Sequence, residues 1–247
     1  MTWSVLADSV IGTSHRRLGT PCQDAYAAKV FGTDRDRLVL VVADGAGSAR
    51  HAEIGSRLAC DSLASRVHSL NDGPAPTVDW LTKTIADVRD ELASEAERLN
   101  ACLRDLACTL LVVVAWPDEA LIAQIGDGAI VWRSGEEFQL AFWPARGEYA
   151  NETHFLTQED FVAALTIRRE PSALQEVALL SDGLQIVALD YALKAPHLPF
   201  FEPLLKWMAS AEDMTALQQP FRTFLEWDRF DSHTDDDKTL LLACRQP

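Results

Sequence analysis

Short, unbroken apolar runs that end in glycine turns alternate along this chain with stretches of helical spacing. Residues 3–12 read as a first strand, and residues 25–31 and 38–43 as a hairpin. The run Val39, Leu40, Val41, Val42, Ala43 is largely β-branched and has no polar interruption, which predicts a strand buried on both faces. Residues 51–70 read as a helix with Ile54, Leu58, Leu63 and Val67 on one face, stopped at Asn71-Asp72-Gly73-Pro74. Val78, Leu81, Ile85, Val88, Leu92, Ala96 and Leu99 recur at steps of three and four, the pattern of a helix covering a sheet. Residues 109–116, 120–125 and 129–133 are further strands, read as a meander of antiparallel neighbours joined by short turns.

The second half is less regular. Residues 143–156 read as a loop or flap over one edge, with Asn151, Thr153 and His154 as candidate ligand contacts and ordinary surface loop as the other reading. Residues 177–180 are a strand, and residues 184–193 are expected to begin a helix. Pro196, Pro199 and Pro203 interrupt the next stretch, before helix at 204–209 and 214–227 with Trp207, Phe221, Phe224 and Trp227 as core. Residues 239–244 are the last strand. Strands, a helical pair and more strands, with no repeat or linker, predict one α+β domain over residues 1–247, antiparallel sheets with helices outside.

Carboxylates stand where these strands stop. Asp44 follows the run 39–43 and precedes Gly45-Ala46-Gly47; Asp182 follows residues 177–180 and precedes Gly183; Asp127 sits between Gly126 and Gly128; Asp235-Asp236-Asp237 precedes the last strand. One Asp-Gly after a strand is an ordinary turn. Four acidic groups at strand ends predict one oxygen-rich pocket suited to a hard divalent cation, Mg²⁺ or Mn²⁺.

Composition narrows the reading. A net charge of −15 argues against nucleic acid and anionic membrane surfaces as partners. A phosphorylated substrate stays open, because bound cations invert the local charge. The five cysteines, Cys22, Cys60, Cys102, Cys108 and Cys244, include no CxxC pair and read as reduced thiols of a cytoplasmic protein. The N-terminus has no signal-peptide pattern, and no apolar run nears the roughly 20 residues that span a bilayer. His15, Arg16 and Arg17 form a cationic group in an acidic chain and are candidates for gripping a phosphate.

Two cations about 4 Å apart activate a water for in-line attack at phosphorus, so no side-chain nucleophile is required. That suits a chain with no GxSxG elbow, no cysteine opening a phosphate-cradling loop and no GxxxxGK[ST]. The ordered set Gln23-Asp24, Asp44-Gly45-x-Gly47, Gly126-Asp127, Ser181-Asp182-Gly183 and Asp236-Asp237-x-Thr239 resembles the metal-dependent serine/threonine protein phosphatases of type 2C in their short bacterial form. The resemblance runs from about residue 10 to 243. It implies a sandwich of two antiparallel β-sheets with two helices on each outer face, and hydrolysis of phosphoserine and phosphothreonine in proteins with Mn²⁺ or Mg²⁺.

Carried over by position, Asp44 resembles the carboxylate that bridges two metals, and Gly45 the residue whose carbonyl binds the second. Asp182 and Asp236 resemble ligands completing the first metal site. Asp24 matches the acidic residue acting on the second metal, and Asp127 a ligand of a third, weaker ion. Asp237 stands where the family often has Asn and is expected to support Asp236. The chain departs from the family pattern at Gly19 (commonly Arg), Gln23 (often Glu), Ala46 (His in some members) and Ile186 (commonly a third-metal Asp). The resemblance implies a phosphorylated protein substrate and a cognate serine/threonine kinase. The competing reading is a catalytically weak protein of the same fold that binds and regulates a phosphorylated partner.

Overall fold

The computed structural model describes residues 2–144 and 153–246. Two five-stranded antiparallel sheets stack face to face. The first carries, in spatial order, β1 (Thr2–Val10), β12 (Lys238–Gln246), β9 (Glu176–Leu180), β6 (Ala129–Arg133) and β7 (Phe138–Leu140). The second carries β2 (Ala25–Phe31), β3 (Arg37–Ala43), β4 (Leu110–Ala115), β5 (Ala120–Ile125) and β8 (Thr166–Glu170). A small separate hairpin joins β10 (Leu189–Asp190) to β11 (Ala195–Pro196).

The unbroken apolar strands follow from this layering. Leu38, Leu40 and Val42 of β3 point into the layer between the sheets, with Leu111 and Val113 of β4 and Leu241 of β12. Val39, Val41 and Ala43 point the other way, under helices α2 (Ala52–His68) and α3 (Val78–Arg98). Both faces of β3 are therefore dry, and every residue from Leu38 to Ala43 is buried. The period of 3.6 in α3 lands Leu81, Ile85, Val88, Leu92 and Ala96 in the same layer, and Thr77 caps the helix by accepting from Trp80 N at 3.1 Å. On the opposite side α6 (Leu198–Ala209) and α7 (Gln218–Leu225) cover the first sheet through Phe201, Leu205, Met208, Phe221 and Leu225. Two antiparallel sheets flanked by helices match the expectation.

Four readings need correction. First, β5 and β6 do not pair: β5 lies between β4 and β8, and β6 between β9 and β7, in the other sheet. Gly126-Asp127-Gly128 carries the chain from one sheet to the other. Gly126 takes φ +99°, a conformation that favours glycine, and Gln124 Nε2 donates to the carbonyls of Gly126 and Gly128 at 3.1 and 3.0 Å.

Second, the polar stretch after β1 is a short helix, α1 (Thr13–Leu18), closed by Gly19 in the left-handed region. Third, Pro199 lies in the first turn of α6, where the missing N–H costs nothing, so the helix begins before the prolines end. Fourth, the helix that begins within residues 184–193 is a single turn, α5 (Gln185–Ala188), which gives way to the small hairpin, and Trp227 is 49% exposed rather than core. Two further single turns, α4 (Phe161–Ala164) and α8 (Asp228–Asp231), complete the helices. Asn151 lies outside the described residues. Among the described residues, no helix is long and apolar enough to cross a membrane.

Candidate metal centre

The register brings six chain segments to one end of the sandwich. Ala43 pairs with Ala25, which sets Asp44 beside Asp24 where β3 ends and β2 begins. Leu180 pairs with both Leu240 and Ala129, which sets Ser181-Asp182 beside the start of β12 and the Asp127 turn. Val10 pairs with Lys238, so the chain leaving β1 passes over Asp236 and Asp237. Gly12 is needed there: a Cβ on it would lie 2.3 Å from the carbonyl carbon of Asp236.

Backbone bonds fix Asp44. Its N–H donates to Thr109 Oγ1 at 2.9 Å, and its carbonyl accepts from Thr109 N at 2.8 Å. Gly45 N donates to the Gln23 carbonyl at 3.2 Å, and Ala46 N to that of Ala107 at 2.9 Å. Asp24 is 4% exposed, and its Oδ2 accepts from Ser181 Oγ and Thr239 Oγ1, both at 2.7 Å. Thr239 N in turn donates to Ser181 Oγ at 3.0 Å. Asp127 Oδ2 accepts from Thr153 Oγ1 at 2.7 Å, and its carbonyl accepts from Gln185 Nε2.

Asp237 has a different task from the expected one. It is 2% exposed; Oδ1 accepts from Gly12 N at 2.7 Å and Oδ2 from Gln23 N at 2.6 Å. It ties the segments before β2 to the start of β12. Its contact with Asp236 is its own N–H donating to Asp236 Oδ1 at 2.8 Å.

Crowding raises the affinity of these carboxyls for protons. Burial pushes Asp24 up to about 8, with Asp237 and Asp182 adding to it against the hydroxyl bonds from Thr239 and Ser181. Burial, then the charges of Asp24, Asp182, Asp236 and Asp127, holds Asp44 well above the carboxylate range. Asp182 is pushed up to about 6 by burial, Asp127 and Asp236. Burial also raises Asp236. Asp24 Oδ1 and Asp182 Oδ1 are buried with no hydrogen-bond donor. Converging carboxylates with unsatisfied oxygens are the donor set of a hard divalent cation, so the residues present fit Mg²⁺ or Mn²⁺.

The three basic residues of α1 diverge. His15 points inward: it is 9% exposed, and its Nδ1 lies 2.9 Å from Asp237 Oδ1 without the alignment of a hydrogen bond. Among the described residues, His15, Asp236 and Asp237 are the group in which one ligating atom from each falls within 4.8 Å of the others; Asp24, Asp44 and Asp182 are not drawn that close together. Arg16 is exposed, and Arg17 pairs with Asp235 at 3.0 Å on the surface. Ile186 is 57% exposed. His154 Nδ1 faces Gln158 Oε1 at 3.2 Å, so it belongs to its own loop.

The sequence alone assigns no role to Ser181, Thr239, Thr109 or Ser56, whose hydroxyl donates to the Gln23 carbonyl at 2.5 Å. Ser181 and Thr239 lie inside the acidic motifs, so the signal is present without its function. Cys60 and Arg66 do stand at Cys-x5-Arg spacing, but both lie within α2 and form no loop. The Cys60 thiol is buried and held well above its usual range by desolvation, which rules it out as a nucleophile. All five cysteines are free.

Comparison with known proteins agrees with this geometry. The family model described as protein phosphatase 2C matches residues 11–226. The chain is 38% identical to serine/threonine-protein phosphatase 3 of Escherichia coli K12 over 249 aligned residues, 98% of each chain. Among solved structures, a bacterial serine phosphatase superposes with a TM-score of 0.68 at 17% identity, over 99% of this chain and 98% of that one. The catalytic domain of the serine/threonine phosphatase PstP, solved with two manganese ions, superposes with a TM-score of 0.66 at 16% identity over 99% of each chain. The model match and the full-length relative together make this chain a member of the protein phosphatase 2C family.

Proposed function

We propose that this phosphatase removes phosphate from phosphoserine and phosphothreonine in proteins, with Asp24, Asp44, the Gly45 carbonyl, Asp182 and Asp236 holding two Mn²⁺ or Mg²⁺ ions. Asp127 is assigned to a third, weaker ion. Carrying the proposal is the mutual raising of proton affinity among Asp24, Asp44, Asp182 and Asp236, with one buried oxygen each of Asp24 and Asp182 left without a donor, an arrangement that cations would relieve. When bound, such cations supply Lewis acidity for the phosphoryl oxygens and acidify a water toward neutral pH.

The chain's own residues do the positioning. Ser181 and Thr239 hold Asp24 by one oxygen and leave the other buried without a donor. Asp237 keeps the chain before β2 against the start of β12. His15, Arg16 and Arg17 are assigned to the phosphate, His15 from the inner side of α1 and the arginines from its surface. The alternative of a catalytically weak binder is not favoured, because Asp24, Asp44, Asp182 and Asp236 are all present and the full-length relative is a named phosphatase. The same reading has the enzyme acting as one domain in the cytoplasm, opposite a cognate serine/threonine kinase.

The test is release of phosphate from phosphoserine, phosphothreonine and phosphotyrosine peptides, with Mn²⁺, with Mg²⁺ and with EDTA. The expected result is metal-dependent turnover of the first two, reduced to background in Asp182→Asn. Replacing Arg16 and Arg17 together by Ala should raise KM more than it lowers kcat. Turnover that survives EDTA would overturn the assignment.

A further inference from the structure

Trp227 is half exposed although its neighbours Phe221, Leu225 and Phe230 are buried. Its ring is one wall of a groove of about 470 Å³ on the outside of α6 and α7. Phe200, Phe224 and Phe230 form the floor, packed edge to face or tilted with ring centroids 5.2–6.2 Å apart. Pro199 and Pro203 of α6 are exposed along the other wall.

The charge of this groove runs against that of the chain. Its lining contains no carboxylate; its polar members are Arg229, His197 and His233, all exposed. The Arg229 guanidinium lies 5.2 Å from the Trp227 ring centroid and so stays at the rim. Glu226 and Asp228 flank Trp227 in sequence but do not line the groove, and Glu226 is paired with Arg222 at 3.3 Å. A chain of net charge −15 thus presents here an apolar surface edged by one arginine and no carboxylate.

Two lining residues of the groove stand near the candidate site in the chain. His233 stands three residues before Asp236, a separation of at most about 10 Å along the chain. Val187, at its other edge, stands five residues after Asp182.

We propose that this groove docks a segment of the phosphoprotein substrate: an aromatic or large aliphatic side chain flanked by acidic residues, a few residues from the phosphorylated one. The inference rests on the phosphatase reading above. Trp and Arg are among the side chains enriched where most binding energy is carried at such surfaces. Acidic flanks would meet the Arg229 guanidinium in a lining that has no carboxylate.

The probes are synthetic phosphoserine peptides carrying Glu-Phe-Glu four to six residues to either side of the phosphoserine, and matched peptides carrying Ala-Ala-Ala. They are assayed beside p-nitrophenyl phosphate, which is too small to reach the groove. For the wild type, kcat/KM should be about tenfold higher for the anchored peptide in one of the two orientations, mainly through KM. Trp227→Ala and Arg229→Glu should each remove most of that preference and leave p-nitrophenyl phosphate turnover unchanged. Turnover of p-nitrophenyl phosphate without peptide preference in either orientation, or preference that persists in both variants, would overturn the docking assignment. So would a Trp227-dependent dimer in sedimentation velocity, which would give the groove to a second copy. Loss of metal-dependent p-nitrophenyl phosphate turnover in the wild type would instead overturn the phosphatase reading itself.

Discussion

One oxygen of Asp24 accepts two hydroxyl hydrogen bonds and the other accepts none. That asymmetry orients the carboxyl. Ser181 belongs to the segment after β9 and Thr239 to β12, so the first sheet aims a residue that precedes the second. In Ser181→Ala or Thr239→Val the Asp24 carboxylate loses one support and gains freedom to rotate. We expect Mn²⁺ affinity to fall about 10- to 100-fold, read by calorimetric titration, with the far-ultraviolet circular dichroism unchanged. The acidic residues themselves are legible in the sequence, because a carboxylate after a buried strand has few ordinary structural reasons to recur. Their hydroxyl supports are not. Serine and threonine are common near strand ends, and only the pairing of β9 with β12 reveals which ones reach Asp24. Asp237 reads as a support for Asp236 for the same reason: adjacency is visible in a sequence, whereas its bonds to Gly12 and Gln23 span more than 200 residues.

At the scale of elements, the strands with two dry faces and the long helix α3 are readable from periodicity alone. Where the pattern is local and ambiguous, the reading fails. Two apolar runs around Gly-Asp-Gly look the same whether the strands pair or pass to different sheets, and here β5 and β6 separate. β8, with the sequence TIRRE, and the three-residue β7 are half-exposed and carry no alternation to see. Helix α1 has six residues and one buried side chain, His15, too few for a period. The connection from β1 to α1 is tight, because Gly12 packs on the Asp236 backbone and Ser14 N donates to the Asp235 carbonyl at 2.9 Å. Gly12→Ala should therefore cost about 1–3 kcal/mol of stability by overpacking. Urea unfolding of the metal-free protein checks this, and an unchanged midpoint would mean that the segment moves aside freely.

For the molecule as a whole, the carboxylate cluster couples stability to pH. Folding raises Asp24 to about 8 and Asp182 to about 6, from the ordinary value of 3.8, and raises Asp44 well above that value. Between about pH 4 and 8 the folded metal-free state then binds more protons than the unfolded one. Stability contributed by these protons is complete below about pH 4 and is lost as pH rises toward 8. Scanning calorimetry in EDTA should show Tm falling between pH 5 and 8. Saturating Mn²⁺ should flatten or reverse that slope, because the cation replaces the protons and binds only the folded chain. The same sandwich places the aromatic groove on the outside of α6 and α7, with His233 three residues from Asp236. Catalytic and docking surfaces of opposite character can thus serve one substrate chain.

The claim that strand-end carboxylates form the metal centre is tested most directly by titrating Mn²⁺ into the metal-free wild type and into Asp44→Asn by isothermal calorimetry. The account predicts at least two ions bound by the wild type and the loss of the tight component in the variant, whose fold is retained. Equal stoichiometry and affinity in the two proteins would contradict it.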